Sequence, residues 1–150
     1  MHRLFVPALL TILALLSGCA SDGTKTVRLK GETFKVELAL DHPTRERGLM
    51  FRDSMPGDHG MLFVFPTSGP QAFWMKNTRI PLDIMYFDSD RGFVSASYRT
   101  PTCSGGNNCP SYASAGRARY VLELNSGVGA ALNLAPGDMI ELPDDLPAPR

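Results

Sequence analysis

The chain is expected to fold as a mainly β domain: a compact antiparallel sandwich or jelly-roll-like barrel, with two short helices as its minor α component. Three observations point there. About eight short segments carry strand signals, either alternating apolar and polar residues or brief apolar runs. Turn residues separate them at hairpin spacing, without the regular strand–helix alternation of a parallel α/β sheet. Of the 150 residues, about 130 remain once an N-terminal leader is set aside, enough for one domain with a sizeable core.

Taken in order, segments 26–29 and 33–40 read as strands around a bend at Gly31-Glu32. In the second, Phe34, Val36, Leu38 and Leu40 alternate with Lys35, Glu37 and Ala39, so one face is buried. Asp41-His42-Pro43-Thr44 is a helix start, with Asp41 or Thr44 as N-cap. RERGLMF then suits a short helix with Arg47, Met50 and Phe51 on one face. Gly48 inside it costs about 1 kcal/mol against Ala, which implies a close approach there or a helix of barely two turns. After the turn-rich stretch 53–60, the apolar run MLFVF (61–65) reads as a buried strand closed by Pro66-Thr67-Ser68-Gly69-Pro70. Segments 73–77 and 83–88 follow as strands, broken at Pro81, and Asp88-Ser89-Asp90-Arg91-Gly92 turns the chain into 93–98. Residues 99–118 read as a long polar loop. YVLEL (120–124) is a strand, Asn125-Ser126 caps a short Gly/Ala-rich helix to about Leu132, and Pro136-Gly137-Asp138 turns into a last strand at 139–142. The tail DDLPAPR is polar and Pro-rich, expected to be loosely ordered.

The N-terminus carries an address. His2 and Arg3 precede an apolar run from Leu4 to Leu16, too short for a bilayer span and suited to the apolar core of a signal peptide. The run ends in Leu16-Ser17-Gly18-Cys19, which resembles a bacterial lipobox. That resemblance implies cleavage before Cys19 and lipidation of its thiol, and more than one acyl chain gives stable membrane anchoring. Ala20 and Ser21 follow, with no Asp in second place; by similarity to lipoprotein sorting signals this implies the outer membrane, facing the periplasm. The expected organisation is a signal peptide (1–18), lipidated Cys19 with a tether (19–30), one domain (31–143) and a polar tail (144–150).

Charge excludes one class of partner. Without Arg3, the 15 Lys and Arg side chains become 14 against 15 Asp and Glu, a net charge near −1 with no basic run. Nothing there neutralises a phosphate backbone, so nucleic acid is not an expected partner. With Cys19 assigned to the lipobox, Cys103 and Cys109 remain in the 99–118 loop. In an exported protein a disulfide is the default for such a pair, ahead of half a metal site.

The order of motifs is RGLMFR (47–52), GMLFVF (60–65), FWMKNTRIPLDIMYFD (73–88), CP-x-Y (109–112), YVLELNSG (120–127) and PGD (136–138). From about Phe34 to Leu142 this resembles the DUF192 family, a bacterial and archaeal group without an established biochemical function. The resemblance implies a compact, jelly-roll-like β-structure and leaves the chemistry to the residues.

In a strand over 73–77, Trp74 and Lys76 share one face and sit about 7 Å apart. They offer an aromatic floor beside a fixed cation, suited to a sugar, a carboxylate or a small amphipathic ligand. Alternatively Trp74 is core and Lys76 snorkels past it. Asn77-Thr78 and Asp83 are expected to tie down backbone groups around the IPLD turn. Glu123 stands inside the otherwise apolar YVLEL, where a buried carboxylate needs a cation; Lys76 and Arg47 are the candidates. Such a pair would be a structural lock or a desolvated acid/base.

The expected binding set is therefore Arg47, Met50, Trp74, Lys76, Asn77 and Glu123, taking a small ligand or cell-wall component. An enzyme would use Glu123 or Asp83 as acid/base, with Lys76 or Arg47 stabilising an anion. A third reading is an envelope interaction module without a small-molecule site. No nucleophile elbow, phosphate-cradling Gly loop or HExxH is found, and no cofactor is implied. No metal site is expected either, because Met50, Met55, Met61, Met75 and Met85 read as core gap-fillers rather than Cu(I) ligands.

Overall fold

A computed structural model describes residues 23–150; the expected signal peptide, Cys19 and the start of the tether lie outside the described residues. The elements run β1 (Lys25–Leu29), β2 (Glu32–Ala39), α1 (His42–Arg47), β3 (His59–Trp74), β4 (Leu82–Phe87), β5 (Phe93–Thr100), a 3-10 turn (Gly106–Asn108), β6 (Ser111–Asn125), α2 (Val128–Ala131) and β7 (Ile140–Glu141). Among the described residues these seven strands form one sheet in the order β5-β4-β6-β3-β2-β1-β7. The sheet curls until its edges meet at one end: the Phe93 N–H donates to Asp138 O (2.8 Å) and the Ile140 N–H to Arg91 O (3.0 Å). The chain is mainly β with two short helices, as its sequence predicts.

Several local expectations are corrected. The two strands expected at 61–65 and 73–77 belong to one, β3, which ends at Trp74. Pro66 does not break it because it falls in the irregular stretch between Val64 and Gly69, where a missing N–H disrupts no ladder, and Pro70 stays paired with Arg117 beside a second register shift before Ala72. The loop expected over 99–118 is about half that length, since β6 already starts at Ser111. Pairing is antiparallel except for β2 with β3, which run parallel. A parallel neighbour requires a crossover, and residues 40–58 supply it, carrying α1 across one face of the sheet.

Asp41, not Thr44, caps α1, accepting the Thr44 N–H (2.8 Å) with Pro43 in the first turn. The helix stops at Arg47 because Gly48 adopts φ 47°, ψ −133°, a conformation that favours glycine. Met50 and Phe51 therefore lie beyond the helix, and the expected helical face does not form. Nor do Asn125 and Ser126 cap α2: Gly127 precedes it without a side-chain bond, and the Asn125 amide donates instead to Met55 O (2.9 Å) and Pro56 O (3.1 Å). The tail is docked rather than loose. Leu146 packs on the core and the Arg150 N–H donates to Leu40 O (2.7 Å).

The curled sheet separates two apolar clusters. Leu62, Leu122, Leu124 and Ile140 belong to one; Met61, Phe63, Ile84, Tyr86 and Val121 belong to the other. The crossover covers the second face, and the candidate site lies there. Cys103 and Cys109 are disulfide-bonded, with Cα atoms 5.8 Å apart.

Candidate functional site

Period-2 alternation along β6 decides where Glu123 points. Leu122 and Leu124 turn into the first cluster, so Glu123 turns with Val121 toward the second. Its cross-strand neighbours are Met61 on β3 and Ile84 on β4, and only 4% of it is exposed. Gly60 permits this close fit, because a Cβ there would stand 2.3 Å from the Glu123 carbonyl oxygen. Burial pushes the Glu123 carboxyl up to about 8, since an apolar surround disfavours the charged form. The neighbouring Tyr86 phenol is raised too, by burial first and by Glu123 second. That phenol donates to Tyr112 O (2.7 Å) rather than to Glu123. Among the described residues no hydrogen bond or ion pair reaches the Glu123 carboxyl.

A cleft of about 310 Å³ opens over this carboxyl, between the crossover and β3. Phe63, Phe65 and Phe73 line its apolar part, with Phe73 edge-on to both other rings (centroids 4.9 and 6.3 Å apart). Gly48 passes close over Phe63, where a Cβ would sit 3.3 Å from the ring. Arg45 fixes the helix on the sheet: its guanidinium donates to Leu40 O (2.6 Å), Val64 O (3.0 Å) and Arg150 O (3.2 Å), and lies over the Phe65 ring.

The structure brings four of the candidate residues to this cleft: Arg47, Met50, Trp74 and Glu123. Trp74 is 38% exposed at the end of β3. Lys76 lies beside it, with Nζ 4.8 Å from the indole centroid, as alternation predicts, but outside the cleft lining; it donates to Asn107 Oδ1 (2.6 Å). Asn77 lines a neighbouring cleft with Phe51 and Arg79. Its φ is 56°, that of Phe51 is 65°, and the Phe51 N–H donates to Asn77 O (2.8 Å).

Among the described residues no cation pairs with Glu123. Lys76 is held by Trp74 and Asn107, and Arg47 stays exposed at the end of α1, so the carboxyl meets its burial by keeping its proton. Asp83 belongs to the opposite face of the sheet, where it accepts the Arg99 N–H (2.7 Å) and the Ala130 N–H (2.8 Å). Asp83 and Glu123 therefore do not converge in one cleft.

Phe63, Phe73 and Thr78 also line the cleft, and sequence reasoning passed over them as core or turn residues. No local signal separated Phe63 and Phe73 from other apolar positions or Thr78 from other turn residues; Gly60, opposite the Glu123 strand, was the one available clue. Among the described residues no group of three His, Cys, Asp or Glu side chains is placed to hold a metal ion, and no helix is long and apolar enough to cross a membrane.

A family model for DUF192, described as an uncharacterized ACR, matches residues 25–142. The chain belongs to the DUF192 family. Two solved structures share its fold. One, described as a candidate transcription regulator from Sinorhizobium meliloti 1021, is 39% identical with a TM-score of 0.72, covering 83% of this chain and 98% of that one. The other, a protein of unknown function from Novosphingobium aromaticivorans DSM 12444, is 30% identical with a TM-score of 0.70, covering 81% and 89%. Comparison with curated proteins gives no match. The DUF192 domain thus accounts for the curled sheet, and the strand-borne carboxyl Glu123 lies within it.

Proposed function

We propose that this DUF192 domain binds a small ligand or cell-wall component in the cleft over Glu123, and that Cys19 anchors it in the cell envelope at the outer membrane. One observation carries the binding reading: a nearly fully buried carboxyl without a partner among the described residues lines a cleft of small-molecule size. With its proton in place, Glu123 offers one donor and further acceptor capacity. A buried polar group of this kind costs stability unless something bonds to it, so a ligand group that does so gains from that site. Trp74, Met50 and Arg47 form the rim. The lipobox resemblance and the Cys103–Cys109 disulfide support the envelope.

Peptidoglycan fragments and a panel of small organic molecules are titrated into the full chain, following emission of its single Trp and amide shifts. Binding is expected to quench Trp74 and to move Leu49, Thr78 and Glu123. A broad panel that moves none of these removes the binding reading. The anchor is tested separately: a Cys19→Ser chain is expected to leave the membrane fraction and to lose incorporated palmitate. Unchanged fractionation and labelling would remove that part alone.

A further inference from the structure

We propose that the cleft takes a small organic anion with an apolar body, its anionic group at Arg47 and a carbonyl or hydroxyl oxygen at the buried carboxyl of Glu123. This rests on the binding reading above and names the class of ligand.

The mouth of the cleft carries charge. Four charged or titratable side chains line it, all from α1: His42, Arg45, Glu46 and Arg47. His42 and Glu46 face each other at 4.0 Å. Arg45 spends its guanidinium on three backbone carbonyls. Among the described residues the Arg47 guanidinium makes no hydrogen bond or ion pair, so it is left to pair with an incoming group. Two arginines against one glutamate make the mouth net positive with His neutral. A planar guanidinium matches a carboxylate or phosphate oxygen pair better than any other side chain does.

The floor asks for the opposite chemistry. Glu123 is surrounded by Met61, Phe63, Ile84 and Tyr86, without a cation. A second anion seated there would be desolvated beside a carboxyl, which is costly. A ligand oxygen that accepts the Glu123 O–H meets no such penalty. Between mouth and floor stand the rings of Phe65, Phe73 and Trp74, so the body that packs beside the ligand's two polar groups is apolar or aromatic. An N-acylated amino acid is the simplest molecule carrying all three features, and an N-acylated sugar acid is another. A cationic ligand, the obvious partner for a lone carboxylate, would have to pass the positive mouth.

The proposal implies a pH dependence. The titratable or charged groups facing Glu123 are Tyr86 from β4 and the four α1 side chains at the mouth; β3 contributes only apolar and amide side chains to the lining. With Glu123 titrating near 8, its protonated fraction falls about tenfold between about pH 7 and about pH 9.

Three aromatic probes decide the matter: hippurate, its neutral carboxamide of the same size, and the smaller cation benzylamine, each titrated into the full chain with Trp74 emission and the Glu123 carboxyl carbon shift as readouts. Hippurate is expected to bind about tenfold tighter than the carboxamide. Arg47→Gln should remove that advantage, so that hippurate binds the variant no tighter than the carboxamide does. Wild-type affinity for hippurate should drop about tenfold from about pH 7 to about pH 9, while Glu123→Gln, which resembles the protonated acid, binds with no such drop. If the carboxamide or benzylamine binds as well as hippurate, or if the pH dependence survives in Glu123→Gln, the anion assignment is wrong and the binding cleft stands. If none of the three moves Trp74 or Glu123 at roughly 10 mM, an affinity limit of about 3 kcal/mol, both readings fall.

Discussion

Glu123 loses its water when β3 and β4 close on either side of β6, and no cation replaces that water. The thermodynamic consequence has a definite sign. In the unfolded chain the carboxyl ionises near its ordinary 4.5; in the folded chain it holds its proton to about 8. Between those values the folded state binds the extra proton, so stability falls as pH rises through the window and levels off above it. One proton sets the slope at about 1.4 kcal/mol per pH unit. Glu37 acts in a different range: its bonds to Arg52 hold its carboxyl below the usual value, so its contribution is lost only as pH falls into the acid region. Glu123→Gln should therefore match wild type near pH 5 and exceed it by a few kcal/mol near pH 8, measured by urea unfolding across that range. Parallel stability curves for the two proteins would contradict the raised carboxyl. At this scale the sequence was informative where alternation governs. It placed Lys76 over Trp74 and marked Glu123 as a charge in an apolar strand. It could not show that Lys76 turns to Asn107, because that contact spans 31 residues and a disulfide-closed loop.

Elements were legible when their signal was strong and lost when it was weak or divided. Ser111 to Ala118 does alternate in burial, but apart from Tyr112 it does so through Ala, Ser, Gly and Arg, which lack the β-branched and aromatic side chains that mark a strand. Pro66 and Pro70 read as punctuation, yet β3 continues through them at irregular pairing. Asp83 was expected to tie down backbone, and its two bonds show how far such a tie can reach. One carboxylate oxygen accepts from Arg99 at the end of β5 and the other from Ala130 in α2, so a single side chain joins three elements. Bonds to a charged acceptor are worth about 1.5–3 kcal/mol each. Asp83→Ala should thus cost about 4 kcal/mol, with two N–H groups left unpaired. Asp83→Asn keeps one acceptor oxygen and should cost about half as much. Chemical denaturation of both variants checks the order, and an Asn variant as unstable as the Ala one would show that the two bonds do not act separately.

The whole molecule is governed by one crossover and one closure. The crossover between β2 and β3 lays α1 over the second apolar face, and without it Glu123 would lie open to solvent. No segment announces that path, since 33–40 and 61–65 look alike whether their strands run parallel or antiparallel. Closure depends on β7, only two residues long, which pairs with β1 while the chain beside it bonds to the start of β5. An open sheet edge exposes unpaired backbone, so the small strand protects more than its own length. Ile140 is the anchor: it is buried, it faces Leu29 across the ladder, and its N–H donates to Arg91 O. Ile140→Ala should cost about 3 kcal/mol through the cavity it leaves. If β7 joins the two edges, the variant should also speed amide exchange at Ile140 and at Phe93 together, although Phe93 is 47 residues away in sequence and bonds to Asp138. Leu122, in the middle of the sheet, should change only by the global loss of stability. Accelerated exchange at Ile140 with Phe93 following Leu122 instead would mean that the edges meet without holding one another.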